Sequence, residues 1–281
     1  MQPYDDDEFW PKSIIPTQDS PPVFDEPTVS TDRYVCISDT HGQHADITLP
    51  PGDILIHAGD ATRSGSYDEC ILFLEWLTRQ RHFQHIILVP GNHDIHMQEA
   101  IDHLHIPPMK LCYLPCGKCP HTGVVGIALT QRIGHADGWA YGVSNDLEFQ
   151  DQIESLLSDD SDVDILVTHA PPIGIGDMNR HGVSCGSRPI RQLLQRCTPR
   201  VHIFGHIHEG HGIYCGRHMI QPSDHESSPI RLSTWCINAS ICDRLLHPVN
   251  LPIIIDIPFQ KQHVATIPYN EQRRIQTVFL Y

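Results

Sequence analysis

Residues 86–94 read Ile86-Ile87-Leu88-Val89-Pro90-Gly91-Asn92-His93-Asp94. Four consecutive apolar residues closed by a Pro-Gly turn signal describe a short strand buried on both faces. An amide, an imidazole and a carboxylate follow the turn, all groups that bind metals or move protons. The same event recurs at four other places. Residues 34–37 run into Ser38-Asp39-Thr40-His41-Gly42, and 54–56 into His57-Ala58-Gly59-Asp60. Residues 163–167 run into Thr168-His169-Ala170-Pro171, and 201–204 into Gly205-His206-Ile207-His208.

Helical patterns lie between these runs. Residues 68–83 place Ile71, Leu72, Leu74 and Leu77 on a broad apolar face, behind Ser66 as a candidate N-cap. Residues 147–157 are similar. So are 187–196, with Ser187 at the cap and Pro189 in the first turn. Strands alternating with helices predict layered α/β architecture. Residues 231–237 and 253–257 read as further strands, whereas 111–145, rich in Gly and Cys, show no clear period. The chain contains no internal repeat. Its texture divides it into an acidic, Pro-rich extension over 1–32, a catalytic domain over 33–260, and a tail over 261–281 that hangs free or adds a strand. The extension is expected to stay loose or to pack as a strap through Phe9, Trp10 and Ile14.

The 281 residues are 40 % hydrophobic, enough for a sizeable core, and carry a formal net charge of -15 from 34 acidic and 19 basic residues. An acidic surface without a Lys/Arg run repels polyphosphate backbones, which argues against duplex nucleic acid as a partner. No stretch approaches the roughly 18 apolar residues of a membrane span. Residues 1–10 have neither the basic nor the apolar region of a secretory leader, so the 10 cysteines are expected to be reduced thiols of a cytoplasmic protein. For the same reason Asn238-Ala239-Ser240, although a glycosylation sequon, reads as structural.

In an open α/β sheet the carboxyl ends of the strands share one rim, and ligands bind there. Side chains just beyond five strands therefore converge. The groups offered are two carboxylates, one amide oxygen and several imidazoles, with no thiolate. That set suits two divalent transition metals. With 21 histidines in the chain, a lone Asp-x-His means little; the order of all five exits carries the argument.

As a set, Asp-x-His, Gly-Asp, Gly-Asn-His-Asp, a single His after a strand and Gly-His-x-His resemble the signature of calcineurin-like metallophosphoesterases, spanning residues 39–208. Gly52-Asp53-Ile54-Leu55-Ile56-His57-Ala58-Gly59-Asp60, Phe204-Gly205-His206-Ile207-His208-Glu209-Gly210 and Ile237-Asn238-Ala239-Ser240 resemble the metallophosphoesterase-domain-containing subfamily related to brain protein 239. The Asp-Arg-Gly extension of protein Ser/Thr phosphatases is missing after Asp60. The chain also departs from the subfamily's Ser-Pro-Trp-like segment at 129–134 while keeping Gly138-Trp139-Ala140-Tyr141, so the pocket wall and substrate choice stay open.

The resemblance implies a four-layer α/β/β/α sandwich of two mixed β-sheets flanked by helices. It implies a two-metal centre, manganese first, with iron, zinc or magnesium as alternatives. Asp39, His41 and His208 would hold one ion; Asn92, His169 and His206 the other; Asp60 would bridge them. His93 would be the general acid, oriented by Asp94. The reaction would be hydrolysis of a small-molecule phosphodiester or phosphomonoester, cyclic nucleotides included. A nucleotide-binding scaffold with weak residual activity is the alternative, and the filled ligand positions speak against it. The acidic charge speaks against a DNA-processing nuclease.

Other residues invite weaker readings. Cys112, Cys116, Cys119 and His121 form a possible zinc cluster or plain loop thiols. Arg63, Arg180, His181 and Arg188 would meet substrate phosphate or sit as exposed charges. Trp139 and Tyr141 would stack on a base or fill a lid. Glu209 would hydrogen-bond a ligand imidazole.

Overall fold

The computed structural model describes residues 31–131, 139–143, 145–157, 163–215, 234–258 and 276–279. In chain order the strands are β1 Thr31–Ile37, β2 Ile54–His57, β3 His85–Leu88, β4 Leu111–Tyr113, β5 Cys116–Lys118, β6 Val125–Ile127, β7 Thr130–Gln131 and β8 Gly142–Val143. They continue with β9 Ile165–Thr168, β10 Val201–Phe204, β11 Gly212–Cys215, β12 Trp235–Asn238, β13 Ile253–Pro258 and β14 Gln276–Phe279. Four helices accompany them: α1 Tyr67–Thr78, α2 Met97–Leu104, α3 Asp146–Leu157 and α4 Arg188–Cys197. The expected extension over 1–30, with Phe9, Trp10 and Ile14, lies outside the described residues, as do 231–233 and most of 261–281.

Two six-stranded mixed sheets form, ordered β14-β13-β1-β2-β3-β4 and β11-β12-β10-β9-β6-β5. Four consecutive strands in each are parallel, β1 to β4 in the first and β6-β9-β10-β12 in the second. Strand alternation builds three apolar layers. Cys36, Ile56 and Ile87 meet Val167, Ile203 and Ile237 between the sheets. Val35, Leu55 and Leu88, one residue out of phase, pack outward against Phe73, Leu77 and Met97 of α1 and α2. Leu166 and Phe204 pack outward against Phe149, Leu193 and Leu194 of α3 and α4. The result is the α/β/β/α sandwich. Each such fully buried aliphatic side chain contributes about 1.5–3 kcal/mol.

The Ser66 hydroxyl caps α1 by accepting from Glu69 N–H, and Ser187 caps α4 by accepting from Ile190 N–H. The expected face of α1 needs correction. Cys70, Phe73, Leu74 and Leu77 are buried, while Leu72 is 60 % exposed. The helical repeat selects positions 70, 73, 74 and 77, and Leu72 falls on the opposite side. The helix also stops at Thr78 instead of 83, because the chain must turn to bring Phe83 under the sheet and start β3. No helix among the described residues is long and apolar enough to cross a membrane.

Candidate metal centre

All five strand exits named above lie on the rim where β1, β2, β3, β9 and β10 end. The backbone there is forced into an unusual form. Asp39, His41, Asp60 and His206 all have positive φ, between 42° and 67°. Non-glycine residues in this region cost on the order of 1–3 kcal/mol each and persist only where surroundings impose them. Here cross-links between the exits impose them. Asp39 N–H donates to Gly59 O at 2.8 Å, His41 N–H to Asp60 O at 3.0 Å and Gly205 N–H to His169 O at 3.0 Å. The fully buried Asp39 carboxylate accepts from His206 N–H and Ser240 Oγ, each at 2.9 Å, and from Ser38 Oγ at 2.6 Å.

Two glycines make room for these carboxylates. A Cβ on Gly205 would lie 2.1 Å from Asp39 Oδ2, and one on Gly91 would lie 2.1 Å from Asp60 Oδ1.

The imidazoles are oriented from behind. Nδ1 of His41 faces Thr62 O at 3.1 Å, that of His169 faces Ala58 O at 2.9 Å, and that of His208 faces Asp243 O at 3.0 Å. A carbonyl only accepts, so each ring keeps its proton on Nδ1 and turns Nε2 into the centre, the usual support for a metal-binding histidine. His41 Nε2 then lies 3.2 Å from His208 Nε2, and His169 Nε2 lies 3.2 Å from His206 Nδ1. Asn92 Oδ1 approaches His169 Nε2 at 3.1 Å. His208 Nε2 is 3.3 Å from Asp39 Oδ1, and His169 Nε2 is 3.4 Å from Asp60 Oδ1.

Ring nitrogens whose lone pairs face one another repel, and a shared cation removes the repulsion. Three groups bring their ligand atoms within 4.8 Å of one another: Asp39, His41 and His208; Asp60, His169 and His206; and His41, Asp60 and His93. The oxygen and imidazole donors, without thiolate, fit divalent metal ions. The first two groups each draw on both sheets. Asp39, His41 and Asp60 hang from the first, and His169, His206 and His208 from the second.

The electrostatics agree. Burial raises both carboxylates, yet the imidazoles overrule it: His208, with His169 and His41, holds Asp39 well below the usual range, and His169 leads the same effect on Asp60. Burial opposes charge on His208 and His169, but Asp39 and Asp60 respectively win and push each up to about 9. Burial prevails at His206, held down to about 4, and lowers His41. The field that draws protons onto His169 and His208 equally draws a divalent cation.

His93 stands beside this cluster with Nε2 3.8 Å from Asp60 Oδ2. Its Nδ1 donates to Arg63 O at 2.6 Å. The orienting contact expected from Asp94 is thus made by a backbone carbonyl. Asp94 is turned inward instead. It accepts from Gly91 N–H at 2.9 Å, and from Thr62 N–H and Oγ1 at 3.0 Å each, tying the β2 and β3 exits together. Burial and the nearby Asp60 charge push its carboxyl up to about 6. Trp139, 39 % exposed, lays its ring 3.9 Å from that of His93, anchored by Ala140 N–H donating to Asn92 O at 2.9 Å.

Several supporting residues were not singled out from sequence: Thr62, Ser240 and Asp243. Asn238 is fully buried, its amide donating to Gly176 O and Ile207 O, in keeping with a structural reading of the sequon. Glu209 is exposed, and His208 Nδ1 donates its hydrogen bond to the backbone carbonyl of Asp243. Arg63, Arg180, His181 and Arg188 are exposed. The possible zinc cluster does not assemble among the described residues: Cys116 is exposed on β5, Cys119 is buried in the core between the sheets, and the His121 ring stacks on His85.

Comparison with known proteins bears on the same segments. The calcineurin-like phosphoesterase family model matches residues 33–210. Metallophosphoesterase domain-containing protein 1 of Homo sapiens is 31% identical over 253 residues, covering 80% of this chain and 71% of that protein. A UPF0046 protein of Caenorhabditis elegans is 28% identical over 269 residues, covering 87% of this chain and 86% of that one. The crystal structure of TT1561 of Thermus thermophilus shares the fold, with a TM-score of 0.51 at 13% identity over 74% of this chain and 89% of that one. With its rim of carboxylates and imidazoles built for divalent ions, the chain belongs to the calcineurin-like phosphoesterase family, among the metallophosphoesterase-domain-containing proteins, and is a metal-dependent phosphoesterase.

Proposed function

We propose that the protein hydrolyses phosphodiesters or phosphomonoesters of small molecules, cyclic nucleotides among them, using two divalent ions with manganese preferred. The observation that carries this reading is the convergence of ligand groups around Asp60, with His93 Nε2 3.8 Å from the same carboxylate. Asp39, His41 and His208 would hold one ion, Asn92, His169 and His206 the other, and Asp60 would serve both. Bound there, the ions supply Lewis acidity toward phosphoryl oxygens and activate water near neutral pH.

The chain's own residues do the rest. With Nδ1 fixed on Arg63 O, His93 presents only Nε2 to the substrate, so a proton leaves from that atom to the departing oxygen. Trp139 packs against the ring at a tilt of 57°, with the centroids 3.9 Å apart, and so restricts its orientation. Asp94, through Gly91 and Thr62, holds the loops carrying His93 and Asp60 in register. The net charge of -15 favours a small substrate over duplex nucleic acid, in a cytoplasmic setting away from membranes.

The test is turnover of bis-p-nitrophenyl phosphate, cyclic nucleotides and single-stranded DNA by the manganese-loaded protein. Preferential turnover of the small esters supports the reading. Preference for DNA, or no turnover of small esters at full metal occupancy, overturns it.

A further inference from the structure

His93 marks where a departing group has to lie. Its Nδ1 donates to Arg63 O at 2.6 Å, so Nε2 is its one ring nitrogen left for a substrate. A general acid stands within hydrogen-bond reach of the oxygen it protonates. Granted the acid role proposed above for His93, the group on that oxygen lies among the residues that surround the imidazole. Two of these are rings. His41 meets His93 edge-on, with the centroids 4.9 Å apart, and belongs to the metal centre. Trp139 meets it at 3.9 Å and belongs to no ligand group.

The segment carrying this indole is tied down from several sides. Ala140 N–H donates to Asn92 O at 2.9 Å, and Thr130 N–H to Tyr141 O at 3.0 Å. The Tyr141 hydroxyl pairs with that of Tyr113 in β4. Gly142 and Val143 pair with Thr130 and Gln131. Tyr141 itself has a φ of 54°, a left-handed conformation that a non-glycine residue keeps only where its surroundings impose it. Yet Trp139 is 39 % exposed, so this scaffolding does not serve to bury it. It holds an aromatic surface in solvent beside the general acid. Because the carbonyl of Asn92 is one of the anchors, the same residue sets both the indole and an amide of the proposed ligand shell.

From this juxtaposition we infer that Trp139 is the specificity-determining residue of the leaving-group side, a stacking platform for esters whose departing group carries a planar aromatic ring. A flat π-system gains from offset or edge contact with an indole, whereas a saturated group of the same bulk has no such face to offer. The hydrolytic step is unchanged. What Trp139 adds is a preference among the small phosphate esters proposed above.

The test compares wild type, Trp139→Phe and Trp139→Ala, all manganese-loaded and with metal content measured. The substrates are methyl phenyl phosphate and methyl hexafluoroisopropyl phosphate, whose departing groups are close in acidity but differ in flatness. Looser support of His93 slows both esters alike, so the readout is the ratio of their kcat/KM values. Trp139→Ala should lower the phenyl-to-fluoroalkyl ratio by on the order of 10- to 100-fold, and Trp139→Phe should keep most of it. Equal fractional losses on the two esters, or no loss on either, would overturn the inference and leave Trp139 as a support for His93 or as a bystander. Binding is read separately by calorimetry with two phosphonates that cannot be hydrolysed. Benzylphosphonate should bind the wild type more tightly than cyclohexylmethylphosphonate does, and Trp139→Ala should lose the difference. If neither ester is turned over at full metal occupancy while that preference holds, the proposed hydrolysis fails and the stacking site stands. If turnover is seen and the preference is missing, the stacking site fails alone.

Discussion

Replacing Gly205 with alanine tests whether the rim is as tightly built as it looks. The added Cβ would lie 2.1 Å from Asp39 Oδ2, 2.1 Å from Ser38 Oγ and 2.8 Å from Ser38 Cβ. That is about 1 Å or more inside ordinary van der Waals contact, so something must move. Asp39 has nowhere to go: it is fully buried, its backbone is left-handed at φ 51, and its carboxylate is held by His206 N–H, Ser38 and Ser240. Overpacking of this kind costs about 1–3 kcal/mol of stability. A displacement near 1 Å at a ligand lowers kcat/KM by on the order of 100-fold. The assay is bis-p-nitrophenyl phosphate turnover with manganese, alongside metal content and melting temperature. Gly117→Ala is the control, because a Cβ there meets nothing within 4 Å and should leave all three unchanged. If Gly205→Ala keeps wild-type turnover and metal content, the claim that Asp39 is locked in place is wrong.

Three further outcomes follow from the same geometry. Asp60→Ala removes the carboxylate that faces His41, His93 and His169, and should strip metal from both sites; elemental analysis still finding two ions per chain would contradict the shared role. His93→Ala should keep the metal content but slow hydrolysis of esters with poor leaving groups by about 10²–10⁴-fold, with esters of acidic phenols affected far less; equal losses on both would remove His93 from the acid role. His202 is buried, neutral and held down to about 3 by burial, from an ordinary value of 6.5, so the unfolded chain binds its proton first as pH falls. Its contribution is therefore complete above pH 6.5 and declines through the window down to pH 3, by about 1.4 kcal/mol per pH unit. His202→Gln should flatten acid-side denaturation curves, and an unchanged slope would refute this.

The strands that carry the ligands were legible because each is buried on both faces. Residues 34–37 and 54–56 are continuous apolar runs and 201–204 is broken only by His202; each closes on glycine or a polar residue, and the strands fall on them. The caps at Ser66 and Ser187 were legible because capping is local chemistry. What escaped is what depends on tertiary context. Strands β4 to β8 are two or three residues long, too short for any period to show. Helix α2 has only eight residues, and whether the tail adds a strand stayed open in the sequence because β14 depends on its partner β13. Within the site, the roles of Thr62, Arg63 and Asp243 fall to backbone carbonyls, which no side-chain pattern can encode. Asp94 was misassigned for a related reason: its position beside His93 suggests a partnership, whereas strand-exit geometry turns it toward Gly91 and Thr62.

Because the ligand groups Asp39, His41, His208 and Asp60, His169, His206 are each divided between the two sheets, ion binding and the mutual alignment of the sheets are thermodynamically linked. Whatever tilts one slab of the sandwich against the other, even a substitution behind α1 or α4, weakens affinity without touching a ligand. Conversely, a loaded ion acts as a keystone, and the dissociation constant of the metal becomes a gauge of how well two halves built from distant parts of the chain have closed on each other.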